Sequence, residues 1–311
     1  MILAIALSPS IDVTYVVEEL PEGGQARPLE VHRVAGGKAI NAARAAAALG
    51  ADVRVIAPLG GGTGTELADG LAAAGIPLRP VEAATPTRSC VSIFSRASGA
   101  LTEVYEHAPA LGDVWPAILA AVVADLDTDP RPGWAILSGS TPSTGADDPV
   151  GDLARVVAAA GARLAIDTHG AALRRVLRLD GGLAPALVKV NRAEAAAALD
   201  ADGPAVDLAA RLHERTGRAA VVSDGPAGIA AVDGTARWLA VVPEVRGGFP
   251  VGSGDSLLGA LVAGLDAGSP FDQALARAAA VATANALVPG AAVFRPEDVA
   301  ELLPRVITIA V

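Results

Sequence analysis

The chain reads GGFPVGSGDS at residues 247–256, and an apolar run from Leu257 to Leu265 follows. The glycines at 252 and 254 permit a tight turn because they carry no Cβ atom. Asp255 and Ser256 then stand where we expect a helix to begin. A helix start offers unpaired N–H groups and the positive end of the helix dipole, so the stretch predicts an anion site.

Asp255 is unusual in such a site because its own negative charge opposes a bound phosphate. A carboxylate there is explained if it removes the proton of a hydroxyl that attacks the phosphate. The simpler interpretation is that Asp255 only caps the helix, and the motif alone leaves both open. The motifs in the rest of the chain are needed to choose between a catalytic base and a helix cap.

Length and composition favour a large α/β domain. The chain has 311 residues, of which 52% are hydrophobic, enough for a sizeable core. It has no apolar stretch long enough to span a bilayer and no basic leader, so we expect a cytoplasmic protein without a membrane partner. Its one cysteine, Cys90, excludes an internal disulfide.

The charge balance argues against nucleic acid as a partner, because the formal net charge is −10. Positive charge for an anionic ligand must therefore be local. Lysine and asparagine are scarce in a chain that favours Arg and Ala, so the positions that keep them are candidates for a specific chemical role. They are Lys38, Lys189, Asn41, Asn191 and Asn285.

Hydrophobic patterning predicts regular alternation of strands and helices. Strands are expected at 2–7, 53–57, 134–138, 163–167, 186–190 and 219–223, with a hairpin at 229–233 and 237–242. Helices are expected from 36 to 49 and at 65–74, 115–126, 149–160, 192–199 and 205–216. This alternation predicts a mainly parallel central sheet with helices on both faces. Polar residues end four of these strands, which favours a site at one edge of the sheet.

Two β excursions interrupt the alternation, at about 13–34 and 88–106. We expect them to form a small separate sheet, called the lid sheet below, inserted in a single domain spanning 1–311. Arg27 lies inside the first excursion, and Arg88 stands immediately before the second hairpin.

Several familiar motifs are excluded by spacing. Gly36-Gly37-Lys38 lacks the earlier glycine and the following Ser or Thr of a Walker loop, and Gly60 to Gly64 fails the dinucleotide spacing at Thr65. The four histidines do not pair at metal spacing, and no nucleophile elbow surrounds Ser256.

The motifs taken together, over essentially the whole chain and in this order, resemble the ribokinase-like (PfkB) family of carbohydrate kinases. The resemblance is to the branch that contains 1-phosphofructokinase and tagatose-6-phosphate kinase. The residues that carry it are Ser8-Pro9-Ser10-Ile11-Asp12, Gly36-Gly37-Lys38 with Asn41, Thr87-Arg88, Ser138-Gly139-Ser140, Lys189 with Asn191 and Glu194, Ser223 with Gly225 and Gly228, and Gly252-Ser253-Gly254-Asp255.

The resemblance implies a ribokinase-like fold and transfer of the γ-phosphate of ATP to a sugar hydroxyl. Asp255 would be the catalytic base, and the backbone N–H groups of Gly252, Ser253, Gly254 and Asp255 would form the anion hole. Asn191 and Glu194 would order Mg²⁺ through water. Nucleotide-binding roles fall to Lys189, Ser223, Gly225, Gly228 and Asn285, and acceptor-binding roles to Asp12, Gly37, Asn41 and Ser140.

The acceptor is expected to be a ketohexose phosphate, fructose 1-phosphate first and tagatose 6-phosphate second. This rests on Arg27, Lys38 and Arg88, since positions like these gather around a substrate phosphate in the phosphosugar branch. The chain departs from the family pattern at Ser253, at Val190 and at Glu106-His107-Ala108-Pro109, and the last departure bears on the sugar.

Two alternatives remain open from the sequence. One is a kinase for an unphosphorylated sugar or nucleoside, in which Arg88 would matter little. The other is a sensor that binds ATP and sugar without turnover, which the Asp255 base and the Asn191/Glu194 pair disfavour. A homodimer through the lid sheet is a further expectation.

Overall fold

A computed structural model describes residues 1–245 and 247–311. The strands are β1 (Ile2–Ile5), β2 (Ser10–Val17), β3 (Glu30–Gly36), β4 (Val53–Leu59), β5 (Leu78–Glu82), β6 (Arg88–Ser95), β7 (Leu101–Tyr105), β8 (Trp134–Ser138), β9 (Arg163–Asp167), β10 (Leu187–Asn191), β11 (Ala219–Ser223), β12 (Ile229–Asp233), β13 (Ala236–Val241) and β14 (Ile307–Ala310). The helices are α1 (Lys38–Ala48), α2 (Gly61–Ala73), α3 (Trp115–Leu126), α4 (Pro149–Ala159), α5 (Gly170–Val176), α6 (Arg192–Leu199), α7 (Ala205–Thr216), α8 (Ser253–Asp266), α9 (Phe271–Ala286) and α10 (Pro296–Leu302).

The central sheet has the order β14-β13-β12-β11-β10-β9-β8-β1-β4-β5. Neighbouring strands run parallel from β11 to β5, whereas β12, β13 and β14 add antiparallel pairs at the other side. The predicted mainly parallel sheet is therefore confirmed.

Both faces of this sheet are covered, which explains why its strands are continuous apolar runs. Ile2 and Ala4 of β1 point into one cluster with helices α1, α8 and α9, and Leu3 and Ile5 point into the other with α3, α4 and α7. All four side chains have no exposed surface.

The lid sheet is present as a separate four-stranded sheet in the order β3-β2-β6-β7, so the prediction of a small second sheet is confirmed. Its first excursion is longer than predicted and runs from Ser10 to Gly36. The ring of Phe94 on β6 lies 4.6 Å from the ring of Phe249, measured between centroids, and this contact joins the lid sheet to the segment before α8.

Three predicted helix starts are wrong, and the first of them is that of α1, which was expected from Gly36 and begins at Lys38. The helix expected from Thr65 begins at Gly61, because Gly60 fits against the backbone at 83–85, where a Cβ atom would lie 2.2 Å from the Thr85 carbonyl oxygen. The helix expected at Asp255 begins two residues earlier, at Ser253. Within the described residues, no helix combines the length and apolar character needed to cross a membrane.

Candidate active site

A cavity of about 1130 Å³ opens between the carboxyl ends of the central strands and the lid sheet. Among the predicted site residues, all except Arg27 and Asn285 line this cavity. The position agrees with the rule that open α/β sheets bind ligands at the carboxyl edge of their strands.

The start of α8 lies in the wall of the cavity and is built around Gly252. Its φ of 79° is left-handed, and a Cβ atom there would lie 2.7 Å from the Ala292 nitrogen. The Ser253 N–H donates to the Pro250 carbonyl at 3.1 Å, so this amide is already paired. The amides of Gly254 and Asp255 remain in the first turn as donors to an anion.

Asp255 is only 7% exposed, and the Asn41 amide Nδ2 donates to its Oδ2 at 3.0 Å. Burial raises the pKa of the Asp255 carboxyl to about 6, while Lys38, Lys189 and the Asn41 hydrogen bond act in the opposite direction. The negative charge of Asp167 adds to the increase. A carboxylate tuned close to neutrality can accept a proton from a hydroxyl and still be ionised at pH 7.

Both lysines of the chain converge on Asp167, at the end of β9. Lys189 Nζ lies 2.6 Å from one carboxylate oxygen of Asp167, and Lys38 Nζ lies 3.1 Å from the other. Burial opposes ionisation of Asp167, yet the two lysines hold its pKa below the ordinary value. The Lys38 side chain is about one-third exposed, and although partial burial opposes its charge, Asp167 and Asp255 raise the pKa of its ammonium, so this charge is held beside the anion site.

The sequence predicted Asp167 only as one of the polar residues that end four strands at the site edge, and it gave Asp167 no role there. The available signal was an aspartate at the carboxyl end of a buried parallel strand, followed by Thr168 and His169. That signal does not show which lysines a carboxylate meets, because Lys38 is 129 residues away in the sequence.

Asp12 and Asn41 form the wall of the cavity next to Asp255. Asp12 accepts a hydrogen bond from Ser10 Oγ at 2.6 Å and from Asn41 Nδ2 at 3.1 Å, so the Asn41 amide bridges Asp12 and Asp255. Burial raises the pKa of the Asp12 carboxyl. The Asn41 Oδ1 atom is buried without a hydrogen-bond partner among the described residues, and it can accept a hydrogen bond from a ligand hydroxyl.

The paired glycines before α1 leave room for this wall. A Cβ atom at Gly36 would lie 2.2 Å from the Asp12 side chain, and one at Gly37, whose φ is +93°, would lie 2.7 Å from the Ser8 carbonyl oxygen. Only glycine fits these two positions without displacing Asp12 or the backbone before it.

Arg88 lines the end of the cavity that is closed by the lid sheet. Its Nη1 donates to the Glu106 carbonyl at 2.9 Å, and its Nε is buried without a partner among the described residues. Arg27 lies exposed in the connection between β2 and β3 and does not line the cavity. The structure therefore brings together two of the three cations expected around a substrate phosphate, Lys38 and Arg88.

Asn191 and Glu194 form a capping box at the start of α6. The Glu194 N–H donates to Asn191 Oδ1, and the Asn191 N–H donates to Glu194 Oε2, each at 2.9 Å. Glu194 Oε1 also lies 3.4 Å from Lys38 Nζ. No cluster of three or more His, Cys, Asp or Glu side chains that could hold a metal ion occurs within residues 1–245 and 247–311. A single fixed carboxylate suits a hydrated Mg²⁺, which keeps most of its water ligands.

The end of the cavity beside β11, called the slot below, is lined by apolar residues. Gly225 and Gly228 follow β11, and a Cβ atom at Gly228 would lie 2.6 Å from the Ala240 carbonyl oxygen. Ile229, Val242 and Ala282 supply apolar surface there. Such a slot suits a planar base.

Asn285 supports the start of α8 from below. It has no exposed surface, and its Nδ2 donates to the Val251 carbonyl at 2.8 Å and to Ser253 Oγ at 3.0 Å. The structure therefore places this predicted nucleotide-binding residue against Val251 and Ser253 at the start of α8, outside the cavity lining.

An anion site at the start of α8, beside the buried carboxylate of Asp255, is an arrangement suited to phosphoryl transfer. The chain also matches the model of the pfkB family of carbohydrate kinases over residues 1–298, and it belongs to that family. The resemblance drawn from the motifs is thus confirmed.

Three curated relatives have matches over nearly their whole length. A 1-phosphofructokinase of Borreliella burgdorferi is 27% identical, with 98% of this chain and 97% of the relative covered. The ATP-dependent 6-phosphofructokinase isozyme 2 of Escherichia coli is 29% identical, with 96% of each covered. A tagatose-6-phosphate kinase of Staphylococcus epidermidis is 25% identical, with 92% of each covered.

Solved structures agree with the fold. Phosphofructokinase-2 of Escherichia coli in complex with potassium superimposes with a TM-score of 0.87 at 27% identity, over 97% of this chain and 98% of the other. A possible 1-phosphofructokinase of Thermotoga maritima has a TM-score of 0.89 at 20% identity, over 100% of this chain and 99% of the other, and supports the fold alone.

Proposed function

We propose that the protein transfers the γ-phosphoryl group of ATP to a hydroxyl of a ketohexose phosphate, with Asp255 as the catalytic base. Fructose 1-phosphate, giving fructose 1,6-bisphosphate, is the first candidate, and tagatose 6-phosphate is the second. The observation that carries the proposal is the buried Asp255 carboxylate at the start of α8, in the cavity wall and close to Lys38 and Lys189.

Asp255 would remove the proton of the attacking hydroxyl. Because Asn41 donates to Oδ2, the Oδ1 atom is the oxygen that would accept the proton. The pKa near 6 leaves the group mostly ionised at neutral pH while making it a stronger base than an ordinary aspartate. This is a poor arrangement for a cap alone, since burial penalises the charge.

The charge that develops on the transferred phosphoryl group would be met by the first turn of α8. The Gly254 and Asp255 amides supply donors. Lys189 Nζ lies beside Gly254, where a Cβ atom would be 2.6 Å from it. Asp167 fixes this lysine at 2.6 Å, so the positive charge is oriented before the ligand arrives. Preorganised donors of this kind typically account for the largest share of catalysis.

Mg²⁺ would be held by Asn191 and Glu194 through its water ligands. When bound, the ion neutralises charge on the phosphates that approach it. The capping box fixes the Glu194 carboxylate, and Ser223, Gly225 and Gly228 border the slot where the nucleotide base would lie.

The acceptor would lie against the lid sheet, beside Asp12 of β2 and Arg88 of β6. Asp12 and the unpaired Asn41 Oδ1 would accept hydrogen bonds from sugar hydroxyls, while Arg88 and Ser140 would bind the phosphate already on the substrate. The three relatives named above are all kinases of sugar phosphates by name, which supports this acceptor class.

A kinase for an unphosphorylated sugar is the second candidate, and the local charge favours it. Arg27 does not reach the cavity, Lys38 is engaged by Asp167 and Glu194, and Glu103 and Glu106 line the same end. Among the residues that the structure describes, Arg88 is then the one arginine left to offset these carboxylates at the acceptor end.

The test is ADP formation from ATP and Mg²⁺ with fructose 1-phosphate, tagatose 6-phosphate, fructose 6-phosphate, fructose, ribose and adenosine. The proposal predicts turnover of a phosphorylated ketose and a large rise of its KM in Arg88→Met. A preference for an unphosphorylated sugar would contradict phosphate binding by Arg88 and Ser140 but would still support kinase activity. Nucleotide binding without turnover of any acceptor would favour the sensor.

We also propose that the lid sheet pairs two copies of the chain. Val31 on β3 and Val104 on β7 expose 50% and 60% of their surface at the two edges of this sheet, and Leu29, just before β3, exposes 52%. Light scattering after size exclusion should give twice the mass of 30.8 kDa, and a Val104→Asp variant should give the single mass.

A further inference from the structure

We infer that Arg44 is a positioning residue that holds the loop 290–292 beneath the anion-binding start of α8. The inference rests on the proposed function for its kinetic part and on the structure alone for the rest. Arg44 Nη1 donates to the Ala291 carbonyl at 2.8 Å and to the Ala35 carbonyl at 3.3 Å. The guanidinium thereby connects α1 with the end of β3 and with a loop 247 residues further along the chain.

Arg44 belongs to a row of three polar side chains on α1. Lys38, Asn41 and Arg44 are each three residues apart, so they lie along one side of the helix. Lys38 reaches Asp167, Asn41 reaches Asp255, and Arg44 reaches the loop behind Gly252. The helix therefore contacts three different supports of the same anion site.

The loop that Arg44 holds touches Gly252 with almost no spare room. A Cβ atom on Gly252 would lie 2.8 Å from the Ala291 Cα and 2.7 Å from the Ala292 nitrogen. Ala292 itself has a φ of 51°, a conformation that a residue with a Cβ atom adopts only when its surroundings impose it. A shift of this loop would displace Gly252 and the amides that follow it.

Burying the Arg44 guanidinium to donate these two hydrogen bonds costs free energy. Arg44 makes no ion pair within the described residues; burial lowers the pKa of its guanidinium, and the more distant charge of Asp12 opposes this only in part. A partly buried cation without an ion pair is retained at a cost, because water would solvate it better. Its function in the structure is therefore to satisfy the Ala291 and Ala35 carbonyls at one point.

The test compares Arg44→Met with Arg218→Met. Arg218 also donates to a backbone carbonyl, that of Gly181 at 3.2 Å, and it does not line the cavity, so it controls for the loss of an arginine that binds a backbone carbonyl elsewhere in the fold. In Arg44→Met we expect kcat to fall by about tenfold to a hundredfold, with acceptor KM changed by less than about threefold. Arg218→Met should keep the kcat of the unchanged protein.

A second readout needs no turnover and separates this inference from the proposed function. Amide hydrogen exchange should become faster at 252–255 and at 290–293 in Arg44→Met, and not in Arg218→Met. Unchanged exchange at 252–255, or a lower melting temperature with unchanged kcat, would overturn the inference and leave Arg44 a purely structural residue. Absence of kinase activity in the unchanged protein, with faster exchange in Arg44→Met, would contradict the proposed function alone.

Should Arg44→Met fail to fold, the unchanged protein decides the question. Native-state exchange in low denaturant should show 252–255 and 290–293 opening together with one dependence on denaturant. Independent opening of the two segments would overturn the inference.

Discussion

Gly254→Ala is the substitution whose effect the structure specifies best. A Cβ atom at 254 would lie 2.6 Å from Lys189 Nζ, so the ammonium has to withdraw by about 0.8 Å to reach the 3.4 Å of ordinary contact. Lys189 is 3% exposed and is held by Asp167 at 2.6 Å, so withdrawal strains or breaks that bond. A hydrogen bond between charged groups contributes about 1.5–3 kcal/mol, against a gain of about 0.5–1 kcal/mol for replacing a helical glycine.

We therefore expect Gly254→Ala to lower the free energy of unfolding by about 1–2 kcal/mol in urea titrations. The displaced ammonium is that of Lys189, which we propose to act on the transferred phosphoryl group at the start of α8. We therefore expect kcat to fall by about a hundredfold in a coupled ADP assay. The two losses have different causes, and the second should exceed anything that the lower stability explains.

Gly62→Ala is the matched control. Gly62 is the second residue of α2, as Gly254 is of α8, and a Cβ atom there would meet nothing within 4 Å. It should raise stability by about 0.4–1 kcal/mol and leave kcat unchanged. If Gly254→Ala proved as stable and as active as Gly62→Ala, the contact between Lys189 and the start of α8 would not have the role assigned to it.

Three further predictions concern the supports of the site. The pKa of Asp255 is raised from 3.8 to about 6, so ionisation of this carboxyl lowers the free energy of unfolding as pH rises through this range. At pH 8 the free energy of unfolding of Asp255→Asn should therefore exceed that of the unchanged protein by about 1–3 kcal/mol, and this difference should be lost at about pH 4. Asn285→Ala should lower kcat more than it raises the KM for ATP, with a stability cost of about 1–3 kcal/mol in urea, because the Val251 carbonyl loses its donor. A double-mutant cycle of Phe94→Ala and Phe249→Ala should give a coupling energy of about 0.5–1.5 kcal/mol.

Each of these has an outcome that contradicts it. Equal urea midpoints for Asp255→Asn and the unchanged protein at pH 8 would mean that the carboxylate is not strained by burial. A rise in the KM for ATP alone in Asn285→Ala would return this residue to the nucleotide site. Additive effects of the two phenylalanine substitutions would show that the rings do not join the lid sheet to the segment before α8.

The central sheet was predictable because its strands carry strong local signals. The run from Ile2 to Ile5 is apolar at every position, which suits a strand covered on both faces. Edge strands carry weaker signals: β5 reads LRPVE and β14 reads ITIA, and neither was predicted. Both depend on a neighbouring strand for their pairing, so tertiary contact decides them more than sequence pattern does.

Helix starts were predicted less well where glycine occurs. Gly61 and Gly254 both lie inside a first turn, although glycine has a low helix propensity. Close packing against backbone at 83–85 and against Lys189 requires the missing side chain at Gly60 and Gly254. Local propensity contains no information about such distant neighbours.

The site was predictable as a set of motifs but not as a network. The motifs located Lys38, Asn41 and Asp255, whose order along the chain is distinctive. They did not indicate that Asp167 receives both lysines, or that Arg27 stays away from the cavity. Those relations depend on how β9 and the lid sheet meet the rest of the fold.

The most direct test of the account is ADP release by Asp255→Asn compared with the unchanged protein, at saturating ATP, Mg²⁺ and the best acceptor of the panel. The asparagine keeps the shape of the side chain and cannot accept the hydroxyl proton. We expect nucleotide binding to be retained and kcat to fall by at least about a hundredfold. A variant that turns over at the unchanged rate would show that Asp255 is not the base and that the start of α8 serves another purpose.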